Sequence, residues 1–171
     1  MAKNFKNNGK KKPKTNGYFT QNIQRDGPEF VNRLNPQNIT RDASRIFRDL
    51  AFSGSALAEQ ITPCFFNRTF VANLCDVALA EYTKAVFTNN ALCAFYTNSI
   101  NCGWPIDPNA CPEKYISDMQ KTAEAYGIIL YDLNNIVNII STGYDEEWKT
   151  NSILNTMRSM GSKLSSYRYC L

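Results

Sequence analysis

The residues best equipped to do chemistry in this 171-residue chain are few. It has no histidine, which removes Ser–His and Cys–His nucleophilic pairs and every histidine-bearing metal site. Six cysteines remain, at positions 64, 75, 93, 102, 111 and 170. None forms the close Cys-x-x-Cys pair on which structural zinc normally rests, so no metal is expected. Cys64, Cys75 and Cys93 fall within or beside apolar helical patterns, where a free thiol acts as a small hydrophobe. Cys102 and Cys111 flank a proline-rich loop and could be joined by a disulfide if the protein meets an oxidant. The densest carboxylate cluster, Asp145-Glu146-Glu147, has the residue type for acid–base work, but its place at a helix start accounts for it electrostatically. Neither GxxxxGK[ST] nor GxGxxG occurs. These residues predict no catalytic group, no cofactor and no small-molecule substrate, and therefore not an enzyme.

The other concentration of chemistry is positive charge. The stretch KNFKNNGKKKPKTNG runs from Lys3 to Gly17. Residues 1–25 carry Lys3, Lys6, Lys10, Lys11, Lys12, Lys14 and Arg25 with no acid, which leaves 12 basic and 15 acidic residues for the rest. A cationic arm on a mildly acidic body implies a tail with its own partner, rather than a body wrapped by nucleic acid. The chemistry open to such an arm is phosphate neutralisation, and six contacts predict a salt slope of about −5. Only Phe5 and Tyr18 interleave the lysines, so base stacking is minor and binding to DNA or RNA would lack sequence specificity. Two other readings stay open: a solvated tail that aids solubility, and, in a eukaryotic source, KKKPK as a nuclear localisation signal.

These residues must be positioned by helices. Residues 1–39 read as a basic, extended N-terminal arm and strap, too poor in large apolar groups to offset ordering entropy alone. Within it Pro28 and Pro36 limit helix, while Phe30 and Leu34 are candidate partner anchors. A helical domain, 40–171, follows. Thr40 is a candidate cap for a first helix carrying Ile46, Phe47 and Leu50, with Gly54 as its end and SALAEQI as another short turn. A second helix is predicted from about Thr69 to Phe87 on the stripe Val71, Leu74, Ala78, Tyr82 and Ala85. Asn89-Asn90 then interrupts, and ALCAFYT resumes as a short apolar helix. NCGWPIDPNACP is a loop by virtue of its prolines, and its Trp104 is a further candidate partner anchor.

The strongest element is a long central helix over about 113–141. Ile116, Met119, Ala123, Tyr126, Leu130, Leu133, Val137 and Ile140 repeat at alternating spacings of three and four. Ile129, Ile136 and Ile139 add a second apolar side, which predicts burial by several neighbours rather than a one-sided coiled coil. Gly127 in its middle costs about 1 kcal/mol and is a candidate close crossing. Gly143 closes this helix, Asp145-Glu146-Glu147 opens the next, and Gly161 ends that one. The fold class is all-α, an irregular bundle of about five helices around the long central one, with an extended N-terminal arm.

An N-terminus without an apolar stretch after its lysines predicts no secretory leader, and no run of 18 apolar residues occurs, so no membrane partner is expected. The count of 20 asparagines fits an AT-rich genome, as in many viruses. The arm-plus-body plan points to a structural component of a large assembly. The leading expectation is a minor or auxiliary capsid or virion protein of a virus or phage, assembled in the host cytoplasm, whose arm threads between neighbouring subunits or contacts packaged nucleic acid. A ribosome-associated or other ribonucleoprotein subunit is the alternative, and a small soluble regulatory binding module the second.

Overall fold

A computed structural model describes residues 36–53, 57, 67–103 and 112–171, and these are all-α. Four α-helices occur among the described residues: α1 (Pro36–Ser53), α2 (Arg68–Cys102), α3 (Pro112–Ile140) and α4 (Glu146–Leu164), followed by a 3-10 turn, Ser165–Tyr167. The helices meet as α1–α2, α2–α3, α3–α4 and α4–α1, closing a ring around one core. Of the arm and strap, residues 1–35, with Lys3, Lys6, Lys10, Lys11, Lys12, Lys14, Arg25, Phe30 and Leu34, lie outside the described residues, as does Trp104, while 36–39 belong to α1 rather than to an extended strap.

The α2–α3 pair is antiparallel. Tyr96 near the end of α2 reaches Glu113 at the start of α3, and Tyr82, fourteen residues back, lies against Gly127, fourteen residues on. The core is built on one side of α3. Ala125, Tyr126, Ile129, Leu133 and Ile136 are buried and pack with Phe47 and Leu50 of α1, Leu74 and Ala78 of α2, and Ile153, Met157, Met160 and Leu164 of α4. The Tyr126 ring meets Phe47 edge-on at 6.1 Å between centroids. Burial pushes the Tyr126 hydroxyl above the ordinary tyrosine range. Of the expected seam, Tyr126 and Leu133 are fully buried, while Leu130 and Val137 are half-buried. Ile129 and Ile136 replace them at the centre, because three helices share the apolar sides of α3 and the deepest line falls between the two sequence stripes.

Several expected boundaries move. Helix α1 begins at Pro36, four residues before Thr40, since proline suits a first turn whose N–H groups have no intrahelical acceptor. Asn89-Asn90 does not break α2, which is one helix rather than two, so the described residues hold four helices instead of about five. Each asparagine costs only several tenths of a kcal/mol relative to alanine. That is less than an uninterrupted hydrogen-bond ladder and packing on α3 return. The stop is Gly103, left-handed at φ 64°, whose N–H donates to Ile100 O at 3.3 Å. The N-terminal cap of α2 is Asn67, whose amide oxygen accepts from Phe70 N at 2.8 Å. Gly161 does not end α4 either. It is buried inside the helix, which continues to a fully buried Leu164, so core burial outweighs the conformational cost of glycine. The acidic run opens α4 as expected, and Asp145 caps it, accepting from Trp148 N at 2.8 Å.

Among the described residues one charged side chain is buried. Asp132 on α3, with its side chain 4% exposed, accepts two hydrogen bonds from Lys163 Nζ of α4 at 3.0 and 3.1 Å. The lysine end is 44% exposed, so water shares in solvating the pair. Lys163→Ala strands the Asp132 carboxylate and is expected to lower unfolding free energy by about 1–3 kcal/mol, less than for a fully buried pair. Asp132→Leu combined with Lys163→Met should recover most of that loss in urea denaturation.

Gly127 gives the opposite sign. A Cβ added there would meet only Tyr82 Cε2 at 3.7 Å, an ordinary van der Waals contact, so the α2–α3 crossing does not require glycine. Gly127→Ala is therefore expected to raise stability by about 0.5–1 kcal/mol. Ile129→Ala, two residues on, should lower it by about 2–5 kcal/mol. Paired thermal melts followed by circular dichroism read both.

Candidate interaction surface

The helices differ in length, and this difference creates the candidate site. At 1.5 Å per residue, α2 (35 residues) spans about 52 Å and α3 (29 residues) about 44 Å. The flanking α1 (18 residues) and α4 (19 residues) span only about 27 and 28 Å. Core burial stops accordingly. On α3 no residue before Ala125 is buried, and on α2 only Ser99 is buried beyond Ala85. Residues 86–102 and 112–124 thus form a two-helix hairpin beyond the main core.

The hairpin has a mixed inner face and exposed rings outside. Inward positions on α2 include Ala85, Val86, Asn89, Leu92, Cys93, Tyr96 and Ser99, and Ile116, Met119 and Ala123 are half-buried on α3. Ser99 Oγ donates to Phe95 O of its own helix at 2.8 Å, and Asn89 Oδ1 is buried without a hydrogen-bond partner among the described residues. Facing outward, Phe87 is 75% exposed, Phe95 63% and Ile100 57%, with Tyr115 of α3 exposed beside the tip. From Ala85 to Cys102 there is no charged residue. Charge depletion with aromatic enrichment is the composition of protein–protein interface cores. Sequence periodicity misses this surface because the helix was expected to break at Asn89-Asn90. The eighteen-residue run without charge was the available signal.

One polar bond ties the hairpin together at its distal end. Tyr96 Oη donates to Glu113 Oε1 across the two helices. That bond holds the Glu113 carboxyl below the usual carboxylate range and the Tyr96 hydroxyl above the usual tyrosine range.

The sequence-derived chemistry falls into structural roles. Glu146 Oε1 accepts from Lys149 Nζ at 3.4 Å and Asp145 is the α4 cap, so the acidic cluster serves a helix start. Cys75, Cys93, Cys102 and Cys170 are free thiols, with Cys102 exposed, while Cys64 and Cys111 lie outside the described residues. Burial pushes the Cys75 and Cys170 thiols up, away from the thiolate that nucleophilic chemistry needs. A shallow groove of about 410 Å³ between α3 and α4 is lined by Glu124, Gly127, Ile128, Tyr131, Lys163 and Tyr167. Its polar ends are already paired, since Tyr167 Oη donates to Glu124 Oε2 at 3.1 Å and Lys163 holds Asp132. No group of three or more Cys, Asp and Glu is placed to hold a metal ion among the described residues. Nor is any described helix long and apolar enough to cross a membrane.

The signs of the two shifts set the pH window of the hairpin. Glu113 is depressed, so its contribution is present above the ordinary carboxylate value and is lost as pH falls through its lower folded value. Tyr96 is raised, so its contribution is present below the ordinary tyrosine value and is lost as pH rises through its higher folded value. Carbon-detected NMR titration of Glu113 should find a depressed midpoint that returns to the ordinary range in Tyr96→Phe. An unchanged midpoint in that variant would show that the inter-helix bond is not its cause. Comparison with protein-family models, curated proteins and solved structures finds no match to this chain.

Proposed function

We propose that this chain is a non-catalytic subunit of a large protein assembly and docks into it through the α2–α3 hairpin. The observation that carries this reading is the hairpin with its exposed rings. Its outer face presents Phe87 and Phe95 without a charge from Ala85 to Cys102, while its inner face mixes Leu92, Tyr96, Ile116 and Met119 with Asn89 and Ser99. A partner that covers the phenylalanines supplies the missing apolar burial.

Within that class the reading extends to a minor or auxiliary capsid or virion protein of a virus or phage. The asparagine-rich composition and the basic 1–25 segment on an acidic remainder support it. The arm, through Lys3 to Arg25, then lies between neighbouring subunits or meets packaged nucleic acid through phosphate neutralisation. A ribonucleoprotein subunit draws on the same lysines, but 12 basic against 15 acidic residues elsewhere disfavour a body embedded in RNA.

The test is incorporation into the native particle. The full chain is expected to co-sediment with a large assembly from its source. Phe87→Ser with Phe95→Ser should abolish co-sedimentation while leaving the helical circular dichroism intact, because both rings are exposed. Deletion of residues 1–25 should weaken incorporation and lower its salt sensitivity. A chain that sediments alone from its source, or one whose incorporation ignores both changes, overturns the reading. Crosslinking of the helical body to ribosomal RNA would replace it with the ribonucleoprotein alternative.

A further inference from the structure

We infer that the outer face of α2 is a twofold interface, and that its first occupant is a second copy of this chain packed antiparallel through Ala91. The inference rests on the docking role of the hairpin and names the partner. Phe87, Ala91 and Phe95 are spaced by four residues on each side of Ala91, so they lie along one ridge of the helix. That spacing is the same read in either direction. A twofold axis through Ala91 sets Phe87 against Phe95 of the second copy and Phe95 against its Phe87. The small Ala91 side chain on the axis lets the two backbones approach. A surface that must meet itself needs this self-complementarity, whereas a surface for an unrelated partner does not.

Charge selects the same arrangement. Between Ala80 and Cys102 the one exposed charged residue is Lys84, seven residues before Ala91, while Glu81 is half-buried. In the antiparallel pair each Lys84 meets Asn98 of the second copy, and the two lysines stand about 21 Å apart along the axis. That exceeds the Debye length of about 10 Å at 0.1 M salt, so they scarcely repel. A parallel pair would set them side by side. The flanks are equally permissive, since Ala80 and Cys102, both exposed, face each other across the axis. The four exposed phenylalanine rings of the pair offer on the order of 500 Å² to bury. A standard interface totals about 1,600 Å². The remainder is available along the exposed face from Ala80 to Cys102, about 33 Å long.

The experiment uses the purified full chain without other subunits. Sedimentation equilibrium should give twice the 19.4 kDa chain mass, and Phe87→Ser with Phe95→Ser should weaken association by at least about tenfold. Position is read by disulfide trapping in a Cys93→Ala, Cys102→Ser background, compared with that background alone. Ala91→Cys should crosslink to itself on mild oxidation. Lys84→Cys alone should not, while Lys84→Cys together with Asn98→Cys should. A monomer up to roughly 100 µM overturns the inference. So does a dimer indifferent to the phenylalanines, or one trapped as well by Lys84→Cys alone as by Ala91→Cys. If the chain is monomeric yet the double serine variant still fails to enter the native particle, the self-pairing falls and hairpin docking to another subunit stands. If neither association nor incorporation responds, both fall.

Discussion

Burial of the α3 stripe from Tyr126 to Ile136 is the interaction on which the described fold rests. Ala125, Tyr126, Ile129, Leu133 and Ile136 face a core that α1, α2 and α4 all enter. Each large apolar side chain so buried contributes about 1.5–3 kcal/mol. Few alternatives serve the shorter helices, because α1 and α4 bury their Phe47, Leu50, Ile153 and Met160 only there. The Asp132–Lys163 pair sits at the edge of the same stripe and orients α4 against it. Such a pair adds specificity of placement more than net stability, because desolvating the carboxylate offsets most of its attraction.

The same constraint explains why the molecule has two unlike ends. Two short helices cannot cover two long ones. Where α1 and α4 run out, the described residues of α2 and α3 pair chiefly with each other, and polar residues join Leu92, Tyr96, Ile116 and Met119 on the facing sides. Asn89 and Ser99 occupy inward positions that would hold leucine or isoleucine in a self-sufficient hairpin. Phe87, Phe95 and Ile100 meanwhile stand exposed. An isolated protein gains nothing from exposed rings, which are hydrated at a cost. A surface that is covered in use recovers that cost as contact.

The segment after α4 lies against α1 and the hairpin portion of α3, where Tyr167 meets Glu124. Arg168 stands over the rings of Phe52 and Tyr169, at 5.3 and 4.9 Å, and Arg48 Nε donates to Leu171 O at 3.1 Å. Each contact is exposed and individually small. Together they bind the last residues to α1, and Tyr167 ties them to Glu124 on α3. Phe52 and Tyr169 are thus capped by an arginine, whereas Phe87 and Phe95 on α2 stand exposed, which is why the α2 face carries the functional reading.

The sequence by itself determined the all-α class, the span of α3 within a residue of each end, and the acidic start of α4. These follow from local rules. Heptad spacing and an aspartate before two glutamates act over a few residues and need no partner to be recognised. It also marked Ile129 and Ile136 as a second apolar side, which is why burial from several directions was expected. The tertiary structure alone decided how α2 runs through Asn89-Asn90, why Gly161 lies inside a helix, and which line of α3 is deepest. Each is a competition between a local cost of a few tenths to 1 kcal/mol and packing against residues far away in sequence. The candidate surface belongs to this second group. Phe87 and Phe95 are plain apolar helix residues in the sequence, and a pattern of types does not say which side faces water. Only the lengths of four helices around one core leave them outside.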